Sequence, residues 1–181
     1  MTLAEFTARV DVDSAIGQIL RAADDALDPE TAAQLHRAAL IDRTVWEGAS
    51  GVAPVSQRLG VKATDGSDLL EVLRVLVAAL RAGLAVELSL GRPLADRLHR
   101  GLLRAGTPVR VETTDRWAAR VGRTYDRIRV VGPERSRHAA LRRTESREDA
   151  AHVVADTGAV DLTGTRELDA LLRPRPLPVL A

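Results

Sequence analysis

From Asp68 onward the chain repeats one cycle, a helical stripe, a glycine, a short apolar run and a turn, and this repeat constrains the fold more than any other feature. Asp65, Ser67 and Asp68 supply capping side chains ahead of Leu69, Leu70, Val72, Leu73, Val75, Leu76 and Leu80, and Gly83 stands where a helix end favours a left-handed residue. So little of this helix is polar that burial on more than one side is predicted. Leu84 to Leu90 reads as a buried strand; Gly91, Arg92 and Pro93 then turn the chain into a helix with Leu94, Leu98, Leu102 and Leu103 inward and Gly106 at its end. The next round gives a strand from Pro108 to Thr113, a cap at Thr114 or Asp115 and a helix through Trp117, Ala118 and Val121. A strand from Arg127 to Val131, a turn at Gly132 and Pro133 and a helix through Ala139 to Arg143 follow. His152 to Ala155 and Val160 to Leu162 are further strand candidates, before a short helix that starts at Thr163 or Thr165 and ends near Leu172. Strands about twenty residues apart leave room for a tight turn, a three-turn helix and a return. Strands so joined are parallel and covered on both faces, which predicts an α/β fold: a Rossmann-like, doubly wound, mostly parallel sheet.

A helical pair precedes it. Asp13 and Ser14 cap a stripe of Ile16, Ile19, Leu20, Ala23 and Leu27, and Asp28 with Pro29 opens a second helix through Ala32, Leu35, Ala39, Leu40 and Trp46. Leu20, Leu27, Leu35, Leu40 and Trp46 are more apolar surface than two helices hide between themselves, so Leu27 to Trp46 is expected to pack on the helix from Leu69 to Leu80. Glycines, proline and small polar residues from Gly48 to Ser67, with a short apolar stretch at Val52 and Val55, read as a connector or a marginal hairpin. The organisation is therefore residues 1–66 as helical extension and connector, 67–172 as the α/β domain, and 173–181 as a tail that Pro174, Pro176 and Pro178 keep extended.

Composition narrows the function classes. With 45% apolar and 28% charged residues the chain is globular, and no apolar run approaches the ~20 residues that span a bilayer. Glu5 precedes any basic residue and no apolar leader follows it, so a cytoplasmic, soluble protein is expected; with no cysteine there is neither a disulfide nor a thiol nucleophile. A net charge of +1 gives no overall preference for nucleic acid or an anionic membrane. Locally, Arg116, Arg120, Arg123, Arg127, Arg129, Arg135, Arg137, Arg142 and Arg143 face only Asp126 and Glu134, which makes nucleic-acid contact through Arg116 to Arg143 one reading. Only Trp117 and Tyr125 lie nearby, too few for a stacking platform. Arg127 and Arg129 alternate with Ile128 and Val130 and are expected to point away from the core or to lie at its mouth.

Ligands of doubly wound sheets sit beyond the carboxyl ends of the strands, here the turns after Leu90, Thr113 and Val131. None has a phosphate-binding fingerprint: Gly91-Arg92-Pro93 loses a backbone donor to proline, and Gly132-Pro133-Glu134 brings a carboxylate. The serines, Ser89 nearest a strand end among them, lack a nucleophile elbow, and Ser89 reads as a polar residue finishing its strand. His36, His99, His138 and His152 have no ligand spacing, while Asp24 with Asp25, and Glu145 with Glu148, read as hydrated faces. No catalytic residue, metal ligand or cofactor is expected from these patterns. A small ligand would find its polar contacts at Arg92, Thr113 or Thr114.

The runs LRVLVAALRAGLAVELSLGRPL from Leu73, LLRAGTPVRVETTDRWAARV from Leu102 and RIRVVGP from Arg127 resemble the C-terminal domain of the long bifunctional proteins that join proline dehydrogenase to 1-pyrroline-5-carboxylate dehydrogenase. With the stretch from Leu27 to Trp46 and the loop to Asp68, the resemblance covers about two thirds of the chain. It implies a fold like the dinucleotide-binding domain of aldehyde dehydrogenases, without catalytic residues, that supports the neighbouring NAD-dependent dehydrogenase by packing against it. The flavin barrel and the catalytic unit with its cysteine have no counterpart here, the part after Val160 is shorter than the family's closing segment, and no catalytic or cofactor residue carries over. The implied role is a non-catalytic accessory or assembly domain related to proline catabolism, stand-alone or a separated subunit. Its partner is then a protein or a second copy of itself; a small-ligand or nucleotide-binding α/β domain is the alternative.

Overall fold

Apolar alternation in three of the strands settles which way each faces. In the computed structural model, which describes residues 12–48, 57–150, 152–156, 158–164 and 166–172, five strands make one all-parallel sheet. They are β1 (Arg58–Ala63), β2 (Ala85–Leu90), β3 (Val109–Val111), β4 (Arg127–Val131) and β5 (Val154–Asp156), in the order β3-β2-β1-β4-β5. The Rossmann-like, doubly wound α/β fold is thus established. Between strands run α3 (Leu69–Arg81), α4 (Asp96–Arg104), the short α5 (Thr114–Ala118) and α6 (Val121–Thr124), and α7 (Glu134–Glu145). Crossovers are right-handed, so those stepping outward to β2 and β3 lie on one face and those on the way to β4 and β5 on the other. Two separate cores result. Leu59, Val61, Val86 and Leu88 meet α3 and α4 in the first; Ile128, Val130, Trp117, Val121, Tyr125 and Ala140 form the second.

The connector reading of Gly48 to Ser67 is corrected in its second half, because Arg58–Ala63 is the central strand, and a boundary after residue 66 separates it from the sheet it centres. Its alternation is real but incomplete: Leu59, Val61 and Ala63 enter the first core, while Gly60 and Lys62 face the second. Gly60 is required there, since an added Cβ would lie 2.6 Å from the Tyr125 ring. Residues 49–56, including Val52 and Val55, and the tail 173–181 lie outside the described residues.

The N-terminal pair, α1 (Val12–Asp24) and α2 (Pro29–Gly48), packs on the first core: α1 lies against α3 and α4, α2 against α3. Asp28 opens α2 by accepting from the N–H groups of Glu30 and Thr31, both at 3.1 Å. Leu35 is fully buried, as its expected contact with the helix from Leu69 requires; the side chain of Trp46 lies outside the described residues. Wedged between the sheet on one side and α1, α2 and a last helix, α8 (Arg166–Leu172), on the other, α3 is buried over most of its length.

Elsewhere the sequence reading needs adjustment. Val160 to Leu162 forms no strand; its Asp161 carboxylate instead accepts from the N–H groups of Thr163, Gly164 and Arg166 and shapes the loop into α8. The single helix expected through Trp117 and Val121 is broken in two at Ala119 and Arg120. Arg127 and Arg129 point into the first core's side of the sheet and are 5% and 1% exposed, because α8 covers that face. Glu167 meets the Arg129 guanidinium through two bonds of 2.8 and 3.0 Å, and Arg127 donates to the carbonyl of Leu171. Among the described residues no helix is long and apolar enough to cross a membrane.

One polar contact fixes the N-terminal pair. Arg74 of α3 donates to both oxygens of Asp42 on α2, at 2.5 and 2.9 Å, and to the carbonyl of Gly164 at 3.0 Å; neither side chain of the pair is exposed at all. Removing one member leaves a buried charge uncompensated, so Arg74→Leu is expected to cost about 3 to 5 kcal/mol. Arg74→Leu combined with Asp42→Leu should recover most of that loss in equilibrium denaturation.

Candidate functional site

Because β1 and β4 are neighbours whose following helices leave to opposite faces, the crevice beyond their carboxyl ends is where an open sheet of this order takes a ligand. Thr64 to Ser67 leave β1 there, and Gly132 with Pro133 leave β4. The chain's own groups close it. The N–H of Thr64 donates to the carbonyl of Val131 at 3.0 Å, and the Thr64 hydroxyl to the same oxygen at 3.1 Å. Ser67 Oγ lies 2.6 Å from the Thr64 carbonyl and 2.8 Å from that of Val131, sharing its one proton between them. Gly132, at φ +129°, leaves no room for a side chain, because a Cβ would stand against Thr64 Oγ1 and 2.7 Å from Ser67 Oγ. Nor is the start of α3 open to an anion: Asp68 caps it, accepting from the N–H of Leu70 at 2.9 Å, and Asp65 adds a second carboxylate to the turn.

Beside this closed point remains a cleft of about 190 Å³ between the β1–α3 and β2–α4 turns. Arg92 lines it and is exposed, whereas Thr113 and Thr114 do not line it. Thr113 instead caps α5, accepting from the N–H of Arg116 at 3.3 Å, so the cap expected at Thr114 or Asp115 stands before both, and Thr114 is the first residue of the helix. Of the three residues expected to serve a small ligand, one is at the cleft.

A second polar group, which sequence reasoning missed, lies under α5 and α6 on the second core's side of β1 and β2. Lys62 Nζ donates to Ser89 Oγ at 3.2 Å and to the Glu112 carbonyl at 3.0 Å, with Lys62 and Ser89 both fully enclosed. Burial pushes the Lys62 amine below its usual range. A lysine against a serine hydroxyl is a pairing that can activate a nucleophile, but here no substrate reaches either group. Next to it, Glu87 accepts from Tyr125 at 2.5 Å, Arg120 at 2.8 Å and Arg110 at 3.0 Å, and Arg120 bridges to Glu112 at 2.5 Å. Burial pushes the Glu87 carboxyl up, yet the hydrogen bonds of Tyr125, Arg120 and Arg110 outweigh it and hold the group below the usual carboxylate range. The available signal was alternation: Glu87 and Ser89 fall between Val86, Leu88 and Leu90, on the opposite face.

Several arginines of the stretch have partners within the chain. Arg120 and Arg129 are paired as described, Arg123 reaches Asp149 at 3.3 Å, Arg143 reaches Asp115 at 2.5 Å, and Arg137 donates to the Gly132 carbonyl at 2.6 Å. His36 bonds Asp24 at 2.9 Å, a contact the hydrated-face reading of Asp24 did not contain, and among the described residues no three ligands gather for a metal ion. Comparison with protein-family models, with curated proteins and with solved structures finds no match for the chain.

Since Glu87 titrates lower when folded than when unfolded, it stabilises the fold above its unfolded pKa of about 4.3, and that contribution is lost as pH falls through the lower, folded value. Glu87→Gln is therefore expected to unfold at a lower temperature than wild type at pH 7 and to converge with it as pH falls below about 4, measured by circular dichroism melts.

Proposed function

We propose that the chain is a non-catalytic, aldehyde-dehydrogenase-like accessory domain that works by packing against a protein partner. A separately encoded 1-pyrroline-5-carboxylate dehydrogenase is the partner to which the sequence resemblance points, and a second copy of the chain is the other. The observation that supports this reading best is the closed switch point: Thr64 and Ser67 spend their hydroxyls on the Val131 carbonyl, in the place where a catalytic relative would receive its dinucleotide. A fold of this order with that place filled has its remaining use in its outer surfaces. Purification from the native cell, with mass spectrometry and sedimentation of what travels with the chain, is expected to recover the dehydrogenase or a dimer. A monomer that changes neither the assembly nor the activity of that dehydrogenase overturns the proposal.

The cleft with Arg92 favours a second reading, a binding domain for a small acidic ligand. A thermal-shift series with nucleotides and acidic metabolites tests it, since a ligand at 100 times its Kd adds about 2.7 kcal/mol of stability. Arg92→Ala is expected to abolish any such rise, and a flat response in the wild-type chain removes the reading.

A further inference from the structure

The cleft between the β1–α3 and β2–α4 turns is lined by one carboxylate and one guanidinium, those of Asp65 and Arg92, and by no other charged residue among those described. Asp65 reaches from the first turn to the second: its Oδ1 lies 3.0 Å from where a Cβ on Gly91 would stand, and Arg92 is the next residue. Yet the two form no ion pair, and among the described residues neither side chain has a hydrogen-bond or salt-bridge partner. Both residues are exposed. The Lys62 amine feels the charge of Asp65 but is itself held by Ser89 and the Glu112 carbonyl. Thr64 and Ser67 also line the cleft, with their hydroxyls spent on main-chain carbonyls. The rest of the lining is mostly aliphatic: Val72 and Leu90 are buried, Leu69 and Leu94 half-buried.

We infer that this cleft binds a zwitterionic amino acid with an aliphatic side chain. The ligand's ammonium group is the partner that Asp65 lacks, its carboxylate is the partner that Arg92 lacks, and the leucines and valine of the lining receive its side chain. A purely acidic ligand fits less well, because it brings its charge towards Asp65 as well as Arg92. At about 190 Å³ the cleft is smaller than the roughly 300 to 1,000 Å³ that drug-sized ligands occupy, which suits a molecule of a few carbons. The inference rests on the reading of the cleft as a small-ligand site and names the class of ligand.

The test titrates the whole chain, followed by NMR chemical shifts, with L-leucine, with 4-methylpentanoate, which lacks the ammonium group, and with 3-methylbutylamine, which lacks the carboxylate. Because both charged side chains stay in contact with water, each pairing contributes up to about 1 kcal/mol, so leucine is expected to bind about fivefold more tightly than either analogue. Asp65→Asn is expected to erase the preference for leucine over 4-methylpentanoate, and Arg92→Ala the preference over 3-methylbutylamine. Both variants should melt with the wild type, since neither side chain is bonded within the fold. No binding of leucine, or a preference that survives Asp65→Asn, overturns the inference. If 4-methylpentanoate binds as tightly as leucine, the zwitterion falls while the reading of the cleft as a site for an acidic ligand stands. If leucine fails and the nucleotides and acidic metabolites of the thermal-shift series fail too, both fall.

Discussion

Everything in this fold is arranged around a strand that must be covered on both sides. β1 sits at the centre of the sheet, hydrogen bonded to β2 and β4, so neither of its faces can turn to water. One face meets the problem with Leu59, Val61 and Ala63 under α3. The other does so with a glycine that lets an aromatic ring rest on the backbone and a lysine whose amine is held by two oxygens. From this asymmetry comes the difference between the two halves of the molecule: a broad aliphatic core beneath α3, and a smaller one that stops at a network of charged groups.

That network and its counterparts on the first face show how the chain uses arginine. Guanidinium groups present fixed donors in a plane, which suits them to tie two carboxylates or a carboxylate and a carbonyl across a buried gap. Arg74 links α2, α3 and the loop at Gly164; Arg120 links β2 to the segment after β3; Arg129 links β4, β5 and α8. Each replaces apolar filling between elements that short helices and loops cover only in part. Such pairs add little net stability compared with well-packed hydrocarbon, but they tolerate few alternative arrangements.

The helices were legible because their stripes and caps are local: α3 follows its capping aspartate, and Gly83 and Gly106 close their helices in positive φ as their positions suggested. β2 and β4 were legible as apolar runs. β1 was not, since its Gly60 and Lys62 answer to Tyr125, Ser89 and Glu112, residues far away in sequence that only folding brings near. The same nonlocality hid the burial of Arg127 and Arg129: alternation gave the correct period, but no local pattern could announce that α8 would return to cover the charged side. At the crevice, the poor phosphate fingerprint was visible in the turns, while the closure by Thr64 and Ser67 depends on a carbonyl some 65 residues further on.

The central position of β1 also sets the order in which the molecule can be completed. β1 finds β2 soon after synthesis, but its other neighbour, β4, is separated from it by the intervening helices and strands, and Asp42 and Arg74 on the early helices receive their last partner only at Gly164. An emerging chain therefore holds half a sheet with one edge of its central strand unpaired. Long-range closure of this kind is slow, and an open strand edge pairs readily with other chains. The chain is thus exposed to misassembly during synthesis, until its last third has emerged.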